Sequence, residues 1–156
     1  MIKILCVGKL KEPALKSLVE DYAQRIQPFR KLTIQEHPDE PISEKPGQAA
    51  LAITKESTAI LAAIKATDQV ILLDLAGSPM RSEELAELID TNQTHGAKSL
   101  VFVIGGSQGV SDAVRQRADQ RWKLSDNTFP HGIVRVLVLE QIYRAYKILS
   151  NQTYHK

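Results

Sequence analysis

Apolar residues follow two rhythms along this chain, short dense runs and longer stretches with a spacing of three or four. Ile2 to Val7 is a dense run closed by Gly8, which predicts a first strand. From Pro13 the apolar positions are Leu15, Leu18, Val19, Tyr22 and Ile26, a helical stripe with proline in its first turn and Gln27-Pro28 at its end. Leu32 to Glu36 alternates and predicts a second strand, closed by Pro38. Pro38 to Gly47 carries three prolines and reads as a surface loop. Gln48 to Ala66 is alanine-rich, with Leu51, Ile60, Leu61 and Ile64 on one helical face. Gln69 to Leu75 predicts a third strand, and Ala76-Gly77-Ser78-Pro79 a turn after it. Ser82 is placed to cap a helix whose first turn holds Glu83 and Glu84 and whose inner face holds Leu85, Leu88 and Ile89. Leu100 to Ile104 is five apolar residues in a row, a strand buried on both faces. Ser111 and Asp112 then open a predicted helix running to Arg121.

The last quarter is ambiguous by pattern. Trp122 to Ser125 reads as a short edge strand and Asp126 to Gly132 as a loop. Ile133 to Leu149 has strand propensity in its first half and helix propensity in its second, with no Gly or Pro between. Val134, Leu137, Val138, Ile142, Ala145 and Leu149 make one helical stripe, so a single long helix is expected. A polar tail, Asn151 to Lys156, follows.

Strand and helix alternate up to residue 122, which predicts an α/β fold, a mostly parallel sheet with helices on both faces. At 156 residues and 43% hydrophobic, the chain suits one ordinary domain, 1–156, with a real core. Composition narrows the function classes. A net charge of +2 leaves no uniformly basic surface, so any nucleic-acid contact must come from local patches. Arg25, Arg30, Lys31, Lys9 and Lys11 are the candidates for such a rim. The lone Cys6 has no intrachain partner, which fits a reducing, cytoplasmic compartment. The opening residues predict no secretory leader, and no apolar run reaches the length of a membrane span. His37, His95, His131 and His155 are scattered without metal-ligand spacing, so no metal is expected.

The most suggestive chemistry lies after the fourth strand, where the chain reads Gly105-Gly106-Ser107-Gln108-Gly109. No Gly-Lys-Ser/Thr follows, so it is not a triphosphate loop of the Walker type. Its Gly-Gly-x-x-Gly spacing also departs from the dinucleotide fingerprint, although Asp126 lies at the distance of a ribose-binding acid. Taken alone, the glycines admit a tight turn as readily as a ligand loop. The glycine turn near Leu73 to Gly77 and the loop at Leu124 to His131 are expected to join it at one sheet edge. Such a pocket, of backbone groups and apolar side chains, suits a flat, neutral-to-cationic nucleoside.

Several motifs in register carry a resemblance. Val-Ile-Gly-Gly-Ser-x-Gly at 103–109, Leu-Ser-x-x-Thr-Phe-Pro-His at 124–131, Arg-Val-x-x-x-Glu-Gln-Ile-Tyr-Arg-Ala at 135–145 and the terminal Tyr-His-Lys are similar to the bacterial ribosomal RNA large-subunit methyltransferase H family. The opening Val-Gly-Lys-Leu-Lys matches too, and the resemblance covers the full length. It implies the small SPOUT fold, in which the C-terminal segment threads a trefoil knot, a rare exception to unknotted topology. It implies S-adenosyl-L-methionine as methyl donor, a homodimer, and methylation of N3 of a pseudouridine in the helix-69 loop of 23S rRNA within the 70S ribosome. By matched position, the donor contacts would be Leu73, Gly105, Leu124, Ser125, Asp126, Asn127, Thr128 and Phe129.

The reaction needs an aligned nucleophile and a route for the imide proton of N3. Tyr154, His155 and Lys156 offer a base, a hydrogen-bond partner and a cation, and Arg144 a donor to the developing uracil oxyanion. Two other classes compete. A Rossmann-type oxidoreductase is favoured only by Gly-Gly-x-x-Gly and Asp126, and it predicts binding of NAD. A non-catalytic ribosome-binding module predicts that no methyl reaches the RNA.

Overall fold

The computed structural model describes residues 1–41, 45–96, 99–152 and 154. His155 and Lys156, two of the expected tail residues, lie outside them. Five strands form one wholly parallel sheet in the order β2-β1-β4-β3-β5, with β1 at Ile2–Val7, β2 at Leu32–His37, β3 at Gln69–Pro79, β4 at Leu100–Ile104 and β5 at Gln120–Lys123. The helices between and after them are α1 (Pro13–Ile26), α2 (Gln48–Ala63), α3 (Ser82–Thr94), α4 (Asp112–Arg117) and α5 (His131–Leu149).

Strand residues alternate between two cores. Ile4, Cys6, Ile71, Phe102 and Ile104 pack with α1, α3 and α5 on one face. Leu5, Val7, Val70, Leu72 and Val103 pack with Ile60 of α2 and Val114 of α4 on the other. Both faces of the central strands are thus covered, which is why β1 and β4 are apolar at nearly every position. Lys3 is the exception, and its ammonium reaches the Asp68 carboxylate at 3.0 Å in a buried pair.

The C-terminal segment is the single helix that its stripe predicts. Val138, Leu139, Ile142 and Ala145 are completely buried between α1 and α3. Packing on two sides needs an apolar surface wider than one narrow stripe, and this is what gives its first half the look of a strand.

Four local expectations are corrected. Leu18 and Leu51, assigned to inner faces, are 44% and 57% exposed. The stretch 76–79 does not end β3 but continues it. The pairing with β5 jumps between Leu73 and Ser78, so 74–77 is an irregularity inside the strand. Gly77 permits it, because a Cβ there would sit 2.4 Å from the Arg121 carbonyl oxygen. Ser82 is not the cap of α3. Arg81 occupies that position, its N–H donating to Glu84 at 2.7 Å, while the Ser82 hydroxyl meets Gln141. Finally α4 stops at Arg117, and β5 begins where helix is expected. Asp119 ties the break to β3 by accepting from the Val70 N–H at 2.7 Å.

Candidate functional site: a cleft at the carboxyl edge of the sheet

Because all five strands run the same way, the segments leaving β3, β4 and β5 emerge at one edge. They enclose a pocket of about 280 Å³. Leu73 contributes from the edge of the β3 irregularity, Gly105 from the end of β4, and Leu124, Ser125, Asn127, Thr128 and Phe129 from the segment after β5. Seven of the eight residues expected to contact the donor therefore share one cavity. Asp126 does not line it. It is exposed and paired with Lys123 at 2.8 Å, a lysine that holds its carboxyl below the usual range.

The glycine sequence turns out to be both a tight turn and a pocket wall. The Gly109 N–H donates to the Gly106 carbonyl at 3.0 Å, and Gly109 takes φ +84°, where glycine is the favoured residue. A Cβ on Gly105 would lie 2.8 Å from Val110 Cγ1. A side chain there would push the Val110 methyl aside and crowd the Gly109 carbonyl oxygen at 3.3 Å. Ser111 caps α4 as expected, accepting from the Val114 N–H.

Several lining residues carry no motif signal. Asp74 receives the Ala76 N–H and the Arg121 guanidinium, with Arg115 3.7 Å away. Burial pushes the Asp74 carboxyl up, but these partners outweigh it and the pKa ends below the usual value. Val110, Trp122 and Val134 also line the wall, next to His131, the last residue of the 124–131 motif; Val134 and His131 come from the first turn of α5.

The catalytic candidates on the C-terminal side lie elsewhere. Arg144 is ten positions beyond Val134 on α5, about 15 Å along the helix axis. Its Nε donates to Glu140 at 3.0 Å, and its guanidinium stacks 4.8 Å from the Tyr154 ring centre. Tyr154 also meets Tyr143 edge-on at 5.0 Å. Burial, with a hydrogen bond to Tyr22, pushes the Tyr154 phenol up to about 12. It keeps its proton at neutral pH, where it offers a hydrogen bond and a ring face. Glu140 and Gln141 extend this cluster through a 2.7 Å hydrogen bond, and Gln141 accepts from Ser82 on α3. Of the proposed basic rim, Arg25 is paired with Asp21 at 2.8 Å and Arg30 reaches Asn92 at 2.7 Å, while Lys9, Lys11 and Lys31 are exposed. Among the described residues no group of three or more His, Cys, Asp or Glu is placed to hold a metal, and no helix is long and apolar enough to cross a membrane.

A parallel sheet with a ligand-sized cleft at its carboxyl edge is common to many ligand-binding α/β proteins, and comparison supplies the class. Residues 1–155 match the family described as "Predicted SPOUT methyltransferase", and the chain belongs to that family. It is 43% identical to the ribosomal RNA large subunit methyltransferase H of Clostridium botulinum, aligned over 99% of both chains. The proteins of the same name from Clostridium novyi and Bacillus pumilus are 45% and 43% identical over the same share. Solved structures at 15% identity share the fold. A probable methyltransferase from Bordetella pertussis has a TM-score of 0.53 over 92% of this chain and 93% of that one. A probable methylase family protein from Haemophilus influenzae reaches 0.56 over 99% and 70%.

Proposed function

We propose that this chain is an S-adenosyl-L-methionine-dependent methyltransferase acting on N3 of a pseudouridine in helix 69 of 23S rRNA, on the assembled 70S ribosome. The observation that carries the reading is the full-length likeness to proteins named ribosomal RNA large subunit methyltransferase H. The cleft is compatible with it. Leu73, Leu124, Phe129 and Val134 offer apolar contact to a flat nucleoside, and Gly105 and Gly106 bring backbone close. Among the described residues the charged side chains lining the cleft are Asp74 and Arg115, and Arg115 lies 3.7 Å from the Asp74 carboxylate.

When bound, the donor supplies a methyl group already activated by the sulfonium, so no metal is required. What this chain must provide is alignment and a path for the N3 proton. The segment 124–129 and the 105–109 turn do the aligning. Arg144, held by Glu140 and stacked on Tyr154, supplies a positive charge for the uracil oxygens as the imide becomes an anion. Proton removal falls to His155 or Lys156.

Arg144 stands about 15 Å along α5 from Val134 of the cleft wall of its own chain, and Tyr154 lies against it. The reading therefore needs a second copy, whose cleft these residues would serve in a homodimer. The same reading takes 1–156 as one catalytic unit in the cytoplasm, with the C-terminal segment knotted as the resemblance implies.

Methyl transfer tests all this directly. Purified protein, labelled donor and 70S particles from cells lacking the activity should give label in 23S RNA, at one pseudouridine by mass mapping. Removing residues 154–156 should abolish transfer and leave donor affinity within a few-fold. Label in no RNA, or at a different base, would end the proposal.

A further inference from the structure

Ser82 has the chemistry of a helix cap, yet Arg81 takes that position and leaves the Ser82 hydroxyl to cross from α3 to α5. There it begins a chain of hydrogen bonds that ends on Arg144. The hydroxyl donates to Gln141 Oε1 at 2.7 Å. Gln141 Nε2 donates to Glu140 Oε2 at 2.7 Å. The other oxygen of that carboxylate, Oε1, accepts from Arg144 Nε at 3.0 Å and also from its Nη2.

The sense of each bond follows from the groups involved. A carboxylate paired with a guanidinium only accepts, so Gln141 must turn its NH2 to Glu140 and its oxygen to Ser82. The hydroxyl is then left with one role, that of donor. Adjacent positions on a helix do not face each other, so the contact between Gln141 and Glu140 needs a hold from outside, and α3 gives it. The effect falls on Arg144. A glutamate and an arginine one turn apart on an open helix surface form a weak and mobile pair. Here both oxygens of Glu140 are engaged, and the two side chains are only 16% and 23% exposed. The guanidinium is pinned along one edge by the carboxylate and over one face by the Tyr154 ring, 4.8 Å from its centre. Glu140, Gln141 and Arg144 belong to the 135–145 motif, whereas Ser82 stands 59 positions before Gln141 and in no motif. Neither Ser82 nor Gln141 lines the cleft.

We propose that Ser82 and Gln141 are positioning residues for methyl transfer, locking the Glu140 carboxylate and so fixing Arg144 in the orientation that meets the uracil oxygens. The proposal rests on the role given to Arg144 above and extends it to a second helix. A donor aimed before the charge develops stabilises it without reorganisation, which is what such a lock supplies.

Proton exchange reads the lock directly. The Nε–H of Arg144, identified as the signal that Arg144→Lys removes, should exchange with water about tenfold faster in Ser82→Ala and in Gln141→Met, the scale of one hydrogen bond. Ser82→Thr keeps a hydroxyl and should stay within about threefold of wild type. In methyl transfer to 70S particles, Ser82→Ala should lower kcat about fivefold to tenfold, with KM for the particles and affinity for S-adenosylhomocysteine held within about twofold. In an Arg144→Lys background the same change should cost less than about twofold, because the lock no longer has its guanidinium to hold. Unchanged exchange in both Ser82→Ala and Gln141→Met would overturn the proposal. So would a full, additive loss of rate in the Arg144→Lys background, which is what a merely structural role predicts. If wild type transfers methyl and Ser82→Ala matches it, only this proposal falls. If wild type transfers none, the role of Arg144 falls with the activity.

Discussion

Arg135 joins the C-terminal helix to the end of the first strand, and its replacement should be among the most damaging in the molecule. The side chain is 3% exposed. One Nη donates to Glu36 at 2.6 Å, and the other donates to the carbonyls of Val7 and Gly8 at 3.1 and 2.6 Å. Arg135→Ala leaves both carbonyls without this donor in a site that water reaches poorly. Breaking a buried charge pair costs roughly 3–5 kcal/mol. Glu36 retains the Leu10 N–H and its side chain is 34% exposed, so it can be solvated. The lower end applies, about 3 kcal/mol. Against a typical total of roughly 5–15 kcal/mol, that is a large share. With a urea slope of about 2 kcal/mol/M, the midpoint should fall by about 1.5 M. The measurement is urea unfolding at fixed protein concentration, since subunit association would otherwise move the midpoint. Arg135→Lys keeps the charge but cannot span the carboxylate and two carbonyls with a planar fork, so it should recover less than half of the loss. Glu36→Gln should cost less than Arg135→Ala, because the guanidinium keeps its carbonyl partners. A loss under about 1 kcal/mol for Arg135→Ala would refute the claim that this contact holds the strand end to the helix.

Two other groups give readable outcomes. Asp74 has a folded-state pKa below the ordinary 3.8, so it contributes stability that is present above that value and is lost as pH falls through the folded pKa. The stability gap between wild type and Asp74→Asn should therefore be widest near neutral pH and close in acid; a gap unchanged from pH 7 to pH 3 would contradict the assignment of its partners. Tyr154, protonated up to about 12, is a ring for Arg144 to stack on, so Tyr154→Phe should keep methyl transfer within a few-fold while Tyr154→Ala loses at least about tenfold. A Phe variant as inactive as the Ala variant would give the hydroxyl a direct role.

Much of this architecture was legible from periodicity. Strands β1 and β4 show it most clearly: apart from Lys3 they are apolar because helices cover both faces, while the edge strand β2 keeps polar Gln35 and Glu36 exposed. The motifs at 103–109 and 124–131 located the apolar cleft for the same reason, since a strand end followed by glycine or a proline-bounded loop is a local signal. The misplaced elements are those where distant chain overrides local preference. Residues 76–79 read as a turn but pair with β5, which lies more than forty positions away, and Leu18 and Leu51 fit a stripe that no neighbour covers. Asp74 could not be singled out, because its meaning comes from what stands opposite, Arg121 and Arg115. Strand order is a nonlocal choice. It decides which loop ends meet, and that Arg144 stands apart from the cleft of its own chain. Side-chain spacing along one segment encodes which face is buried, whereas the identity of the neighbour across that face is settled only when the sheet assembles.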